Sequence, residues 1–325
     1  MSIRPLLWSA LALVAAVLPW ITGSYYLNVA SQVLIYAIFA LGLNVLVGYA
    51  GLVSLGHAGI FGVAAYTASW LVAAGSGHLP AALVALVAIV LISALYALLS
   101  LRATGIGFLM ITLAIGQILW GLAYRWIDVT AGDNGIGVPS RPAPFGLSLM
   151  SAPSFYYFTA LAFLLAVLSM AVFVRSPFGA SLKGTRDQPR RMTALGYNVW
   201  LIRFAAFLFS GFWSGIAGLL FCYYEQFVSP GMLTLGSSAE VLLMVIAGGS
   251  GTLAGPVVGA ALVFIMKNVA SAYIVRWNLV LGVIFVAIVI FMPEGLVPGS
   301  VRLARWAYAE WHRRRAAPAA LGSER

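Results

Sequence analysis

"GYAGLVSLGHAGIFGVAAY", residues 48–66, carries five glycines and one histidine among apolar side chains. Glycine is the weakest helix former after proline, so a soluble helix would not give it five positions. The surroundings decide what kind of protein would. Between Arg4 and Arg102 there is no acid, lysine or arginine. Over all 325 residues, 62% are hydrophobic and 8% charged, against about 25% charged in a soluble domain. Lipid, not water, is the solvent of such a surface, and the fold class is an all-α polytopic membrane protein. The glycines then have two competing readings. Small residues let neighbouring spans pack closely, with small-xxx-small spacing at Ala58–Gly62. Alternatively 48–57 is partly unwound and lines a substrate path, with Asn44, Gly48, Ser54, His57 and Gly59 as the candidates. Irregular backbone at membrane depth is tolerated only beside protein or a water-filled cavity.

A spanning helix needs about 20 apolar residues. Charges, prolines and glycine clusters divide the chain into ten candidate spans: 5–22, 27–47, 56–74, 81–101, 106–126, 155–174, 202–224, 238–249, 255–273 and 276–292. The first resembles a signal peptide but lacks a small-x-small cleavage site, so it reads as an uncleaved span. The eighth is too short to cross alone and ends in "AGGSGTLAGP", which suggests a broken or re-entrant helix. With the N-terminus inside, Arg4, Arg102, the cluster at 175–203 and the run at 302–325 are cytoplasmic, and only Arg125, Arg141 and Arg276 are external. That asymmetry obeys the positive-inside rule and puts both termini in the cytoplasm. The organisation is one transmembrane domain over 1–301 and a basic cytoplasmic tail over 302–325. An odd offset between spans 2–5 and 7–10 would make them inverted repeats; the alternative is ten spans without internal symmetry.

The one long internal loop, "RSPFGASLKGTRDQPRRMTALGYNVWLIRF" (175–204), has room for its own helix. Asp187 is expected to cap a short helix from Pro189 to Leu195, with Gly196 ending it and Arg186, Arg190 and Arg191 on a basic face. A basic internal loop is also simply what orientation requires. Glu240 and Lys267 are the unusual charges. Glu240 is placed near the outer end of span 8 and Lys267 six residues inside span 9, so that a pair is possible. The loop "RWIDVTAGDNGIGVPSRPAPFG" (125–146), with Asp128 and Asp133, reads as a turn-rich external cap. Enzymatic readings find little support. Ser54 and His57 lack an orienting acid, three histidines and one cysteine are too few for a metal site, and there is no G-x-x-x-x-G-K-[ST] phosphate loop.

"GLNVLVGYAGLVSLGHAGIFGVAAYTAS" (42–69), "TAGDNGIGVP" (130–139), "SPFGASLKGTRDQPRRMTALGYNV" (176–199) and "GGSGTLAGPVVGAAL" (248–262) together resemble the permease subunits of branched-chain amino acid ABC importers, of the LivM type. The resemblance covers roughly 27–295. It implies a multi-pass protein of the bacterial inner membrane, partnered by a second permease, two cytoplasmic ATPases and a periplasmic binding protein. It also implies that the chain binds no cofactor itself, with ATP on the partners, and that 176–199 is the ATPase-coupling segment. Family coupling loops carry Glu-Ala-Ala, three residues, then Gly. Aligned on Gly196, this chain has Arg190-Arg191-Met192 instead. The glycine matches and the acid does not, so no ion pair from that position is expected. Closely similar permeases serve urea, short amides or other small zwitterions, which is the alternative within the class. An ion-coupled secondary transporter would be favoured by acids at mid-span, and none of the eight falls clearly there.

Overall fold

A computed structural model describes Pro19 and residues 22–302, apart from 139, 144–147, 274–276 and 293. The first apolar run, nearly all of 5–22, and the basic tail beyond Arg302 lie outside the described residues. Helix α1 (Ser24–Asn44) continues into a π-helical stretch, Val45–Ala50, which Gly51 ends in the left-handed conformation at φ 69°. Next come α2 (His57–Ala73), α3 (His78–Ser100), α4 (Ile106–Arg125) and α5 (Ala152–Arg175). Two short helices, α6 (Pro177–Asp187) and α7 (Pro189–Ala194), lead into the long α8 (Val199–Glu225). Helices α9 (Leu235–Gly248), α10 (Gly255–Tyr273) and α11 (Trp277–Phe291) follow, and 296–302 are again helical. Strand β1 (Ile136–Gly137) pairs antiparallel with β2 (Phe227–Val228), tying the 130–150 loop to the end of α8.

Local chemistry explains where helices begin. Ser151, Ser176, Asn198 and Thr234 precede α5, α6, α8 and α9, and each accepts a hydrogen bond from an amide three residues on. Such a cap satisfies an otherwise orphaned N–H. Pro153, Pro177 and Pro189 sit in first turns, where no amide donor is needed. The expected cap at Asp187 is not formed. Asp187 is instead the last residue of α6, its carboxylate 2.8 Å from Arg186 Nε, and Gln188 precedes α7. Pro189 needs no cap to start a helix, and a helix the sequence reading did not propose, α6, runs on through Asp187.

Among the described residues, five helices are long and apolar enough to cross a membrane: Ser24–Ala50, His78–Ser100, Ile106–Arg125, Ala152–Arg175 and Val199–Glu225. They fall into two classes. The most apolar window is 78% buried in Ser24–Ala50 and 56% in Val199–Glu225, but 28%, 28% and 17% in the others. Helices α1 and α8 are therefore the centre, and α8 packs on both α1 and α2. Helices α3, α4 and α5 present leucine and valine faces outward, such as Leu83, Leu91, Leu161 and Leu168. In lipid there is little hydrophobic drive between helices, so association rests on close packing and polar contacts. Gly218 of α8 supplies one such approach, lying directly against the backbone carbonyl of Phe61 in α2.

Two segments break the helical pattern inside the bundle. Residues 52–56 are non-helical and 227–234 hold the short strand β2 and a 3-10 turn over Pro230–Leu233, and each leads into a helix, α2 or α9, that starts in the interior. Ser210 provides the ruler. It lies eleven residues into the 27-residue α8, about 16 Å along an element about 40 Å long. Its hydroxyl donates to Gly42 O at 2.6 Å and lies 3.0 Å from His57 Nε2, so α2 starts near mid-height. Ala58 N donates to Ser238 Oγ at 3.2 Å, which puts the start of α9 at the same level. Glu240, placed by the sequence reading at the outer end of its span, consequently lies deep in the bundle, because 227–234 has already carried the chain inward.

The two segments share wording as well as geometry. Gly51-Leu52-Val53-Ser54-Leu55-Gly56 corresponds to Gly231-Met232-Leu233-Thr234-Leu235-Gly236. The offset is 180 residues, the same separation as between the contacting Ala58 and Ser238. The hydroxyl of Ser54 meets the side chain three residues on, His57 Nδ1 at 2.8 Å, and Thr234 Oγ1 does likewise with Ser237 Oγ at 3.1 Å.

If the α2–α8 crossing sets bundle stability, Gly218→Val should cost about 1–3 kcal/mol through overpacking. Gly121→Ala, whose added carbon would meet nothing within 4 Å, should be neutral or stabilise slightly. Thermal unfolding of the detergent-solubilised protein reads both; equal melting temperatures would refute the packing assignment.

Candidate functional site

The glycine-rich stretch is where the cytoplasmic loop expected from the charge pattern meets the bundle. Arg186 of α6 donates from Nη1 to Gly48 O at 2.7 Å, and its aliphatic stem lies over Gly51, where a Cβ would collide with Arg186 Cγ. Lys183, one turn earlier, sits 5.4 Å from the ring centre of Tyr49, within cation–π range. On the other side, Asn44 spans to the turn between α9 and α10. Its Nδ2 donates to Thr252 O and its Oδ1 accepts from Gly251 N, both at 2.9 Å. Gly48 lies against Gly251 so tightly that no side chain would fit. One short segment thus joins α1, α6 and the 249–254 turn.

The remaining path candidates sit higher. Ser54 and His57 are almost fully buried, at 0% and 1% exposure, and His57 bridges Ser54 and Ser210. Gly59 faces the Tyr96 ring and hydroxyl of α3. The five candidates therefore form a line through the packed interior, and none lines the cavity described below.

The coupling segment has a defined shape. Helix α7 has no buried residue, and from Arg186 to Asn198 only Met192 is partly covered. Met192, standing where the family acid pattern was expected to differ, places its sulfur against Gly184 of α6. Gly196 ends α7 at φ 87°, with Gly196 N on Thr193 O and Tyr197 N on Met192 O. This is the Schellman arrangement, which uses glycine's freedom in the left-handed region. Arg190 and Arg191 point to solvent beside exposed Leu195 and Tyr197. Arg203 Nη2 donates to Thr185 O at 2.9 Å, joining α6 to the first turns of α8.

A cavity of about 310 Å³ opens between α1, α2, α8, α9 and α10. Tyr36, Phe61 and Phe221 form its apolar wall, and Glu225, Glu240 and Lys267 its charged part. An adjoining hollow of about 330 Å³ shares Tyr36, Phe221, Glu225 and Lys267 and adds Gln32. Lys267 Nζ lies 3.2 and 3.4 Å from the Glu240 carboxylate oxygens, and Gln32 Nε2 donates to Glu225 Oε1 at 2.9 Å. Sequence reasoning named Glu240 and Lys267 but missed Gln32, Tyr36 and Glu225. A glutamine within an apolar helix and an acid ending another were the available signals. Nearby, Arg141 closes the end of α8, donating to Tyr223 O and Tyr224 O at 3.0 Å each and lying 4.6 Å over the Phe155 ring. Burial lowers its guanidinium pKa from the ordinary value, which the neighbouring Tyr224 opposes; arginine stays charged through such shifts.

Comparison with known proteins bears on what these parts do. The profile of the family described as "Branched-chain amino acid transport system / permease component" matches residues 25–291. The "High-affinity branched-chain amino acid transport system permease protein LivM" of Escherichia coli K12 is 31% identical, over 89% of this chain and 74% of that protein. Its namesake from Salmonella typhimurium is 30% identical over the same shares. The Salmonella typhimurium permease protein LivH of the same named system is 18% identical over 81% of this chain and 91% of that protein. No solved structure matches.

Removing the Asn44 bridge tests the seam itself. Asn44→Ala leaves Thr252 O and Gly251 N without side-chain partners, and each unsatisfied group costs about 1–3 kcal/mol. A clear fall in melting temperature is expected, while Thr193→Ala on exposed α7 should shift stability by less than about 0.5 kcal/mol. Equal melting curves would show that the bridge carries no stability.

Proposed function

The chain belongs to the branched-chain amino acid transport permease family, and we propose from that premise that it is the membrane-spanning half of an ATP-driven importer for branched-chain or related small amino acids. In this reading it crosses the bacterial inner membrane ten times with both termini in the cytoplasm. It pairs with a second permease, two ATPases and a periplasmic binding protein, and has no catalysis of its own. The repeated Gly-x-x-[Ser/Thr]-Leu-Gly segments and their mutual contact support two inverted repeats related about the Ala58–Ser238 contact. The placement is self-consistent. The charge pattern puts the 125–146 loop and the end of α8 outside, and β1 joins them. It puts 175–203 and the end of α1 inside, and Arg186 joins those.

The observation that carries the mechanism is the seating of α6 on Gly48–Gly51. Closure of an ATPase pair would push the exposed α7, which Met192 fixes to α6. Arg186 would then pass the movement to the π-helical end of α1, and Arg203 to α8. Since α1 and α8 form the centre of the bundle, displacing their cytoplasmic ends would switch access between the two faces. The arrangement does not need an acid at position 190.

Single cysteines at Arg190 or Thr193 should crosslink to the ATPase in membranes, whereas one at Leu83, on the outward face of α3, should not. Absence of crosslinks at every position from 186 to 195 would overturn the docking assignment. The substrate class is read by uptake into proteoliposomes holding the whole complex. Leucine uptake that requires both ATP and the binding protein is expected. Uptake of urea or acetamide but not leucine would establish the alternative substrate class. Uptake driven by an ion gradient without ATP would refute the importer reading.

A further inference from the structure

We propose that the cavity between α1, α8, α9 and α10 is a binding site for a zwitterion, with Lys267 taking the substrate carboxylate, Glu225 and Glu240 its ammonium, and Tyr36, Phe61 and Phe221 its apolar side chain. The inference rests on the importer reading and deepens it, since a neutral amide would need no such charges.

The argument starts from cost. An ionised pair deep in an apolar bundle is expensive, and well-packed apolar residues of similar size are often at least as stable. Glu240 and Lys267 are nevertheless on facing helices, with side chains 17% and 35% exposed, and both border the open space. Their charges thus face a volume rather than a sealed contact. The composition of that volume is also specific. Two carboxylates and one ammonium group leave one negative charge in excess among these three side chains, and much of the remaining lining is aromatic. A small-molecule site has this form, mostly apolar with a few convergent polar groups, and about 300 Å³ is its usual lower bound.

Lys267 bonds Glu240, and Gln32 bonds Glu225. When an amino acid enters, its carboxylate exchanges for Glu240 at Lys267, and its ammonium meets the acids. Lys267 keeps a carboxylate partner throughout, and the one excess negative charge, held by the neutral Gln32 amide beforehand, gains the ammonium. The same geometry sets specificity. An amine without a carboxylate leaves Lys267 as it was, and an acid without an ammonium adds a like charge beside Glu240. The segment 227–234 lines the approach through Phe227, Ser229 and Met232.

The test uses the whole complex in proteoliposomes with leucine-loaded binding protein in excess, so that loading is equal for parent and variants. Lys267→Met should lower the maximal leucine uptake rate at least about tenfold, the effect of losing a charge-assisted hydrogen bond. The double variant Lys267→Met with Glu240→Gln removes both charges of the pair, so neither is left without its partner; it should assemble, as copurification reads, yet remain as slow. Return of the double variant to the parent rate would show that the pair is only structural and overturn the proposal. Glu225 is exposed at the end of α8, so Glu225→Gln should fold and still transport several-fold more slowly; a parent rate there would also overturn it. If the parent complex moves no amino acid at all, the importer reading fails instead, which is a different result from parent uptake with unaffected variants.

Discussion

Every backbone amide that leaves a helix inside this bundle must find a partner in the protein, because lipid offers none. Within 51–56 the amides of Gly51, Leu52, Leu55 and Gly56 find such partners. Leu52 N reaches back to Leu46 O at 2.9 Å, Leu55 N donates to Thr112 Oγ1 at 3.3 Å, and Gly56 N to Ser54 Oγ at 3.4 Å. The partners come from α1, α4 and the segment itself, so these elements are fixed around it. Ser238 serves α2 in the same way across the mid-height contact. Much of the hydroxyl content of the interior, including Ser54, Thr112, Ser210 and Ser238, is thereby explained as amide and imidazole satisfaction in a chain with few charges.

The glycines of the same stretch follow from this arrangement rather than from helix propensity. Gly48 admits the 249–254 turn, Gly51 turns the chain and admits the Arg186 stem, and Gly56 and Gly59 admit α4 and Tyr96. Asn44 is held by the 249–254 turn, and Ser54 and His57 by each other and by Ser210 of α8, while the open volume lies elsewhere, beside Glu240.

Helix positions were legible because apolar runs and their breaks set them. The reading 27–47 against a helix over Ser24–Asn44, and 56–74 against His57–Ala73, differ only at the ends. Gly196 was legible too, since a glycine after a short helical run has a local role. Depth was not. Nothing in the composition of 227–234 distinguishes a loop on the surface from one that turns inward, and Glu240 was misplaced for that reason. The cavity was legible only in part. Gln32 and Glu225 bond to each other across 193 residues of sequence, and a contact between helices so distant has no local signature. Asp187 shows the converse error, in which a favourable capping residue was outcompeted by continuation of the helix that precedes it.

The meeting of α2 and α9 at mid-height has an electrostatic consequence. Each helix carries about half a positive elementary charge at its N-terminus, and here both N-termini converge at Ala58 and Ser238. Neither has an acid in its first turn. The centre of the bundle is therefore electropositive without a single basic side chain at that point. Within the protein the Ser238 hydroxyl answers that field directly, its oxygen accepting the Ala58 amide where the two helix ends meet.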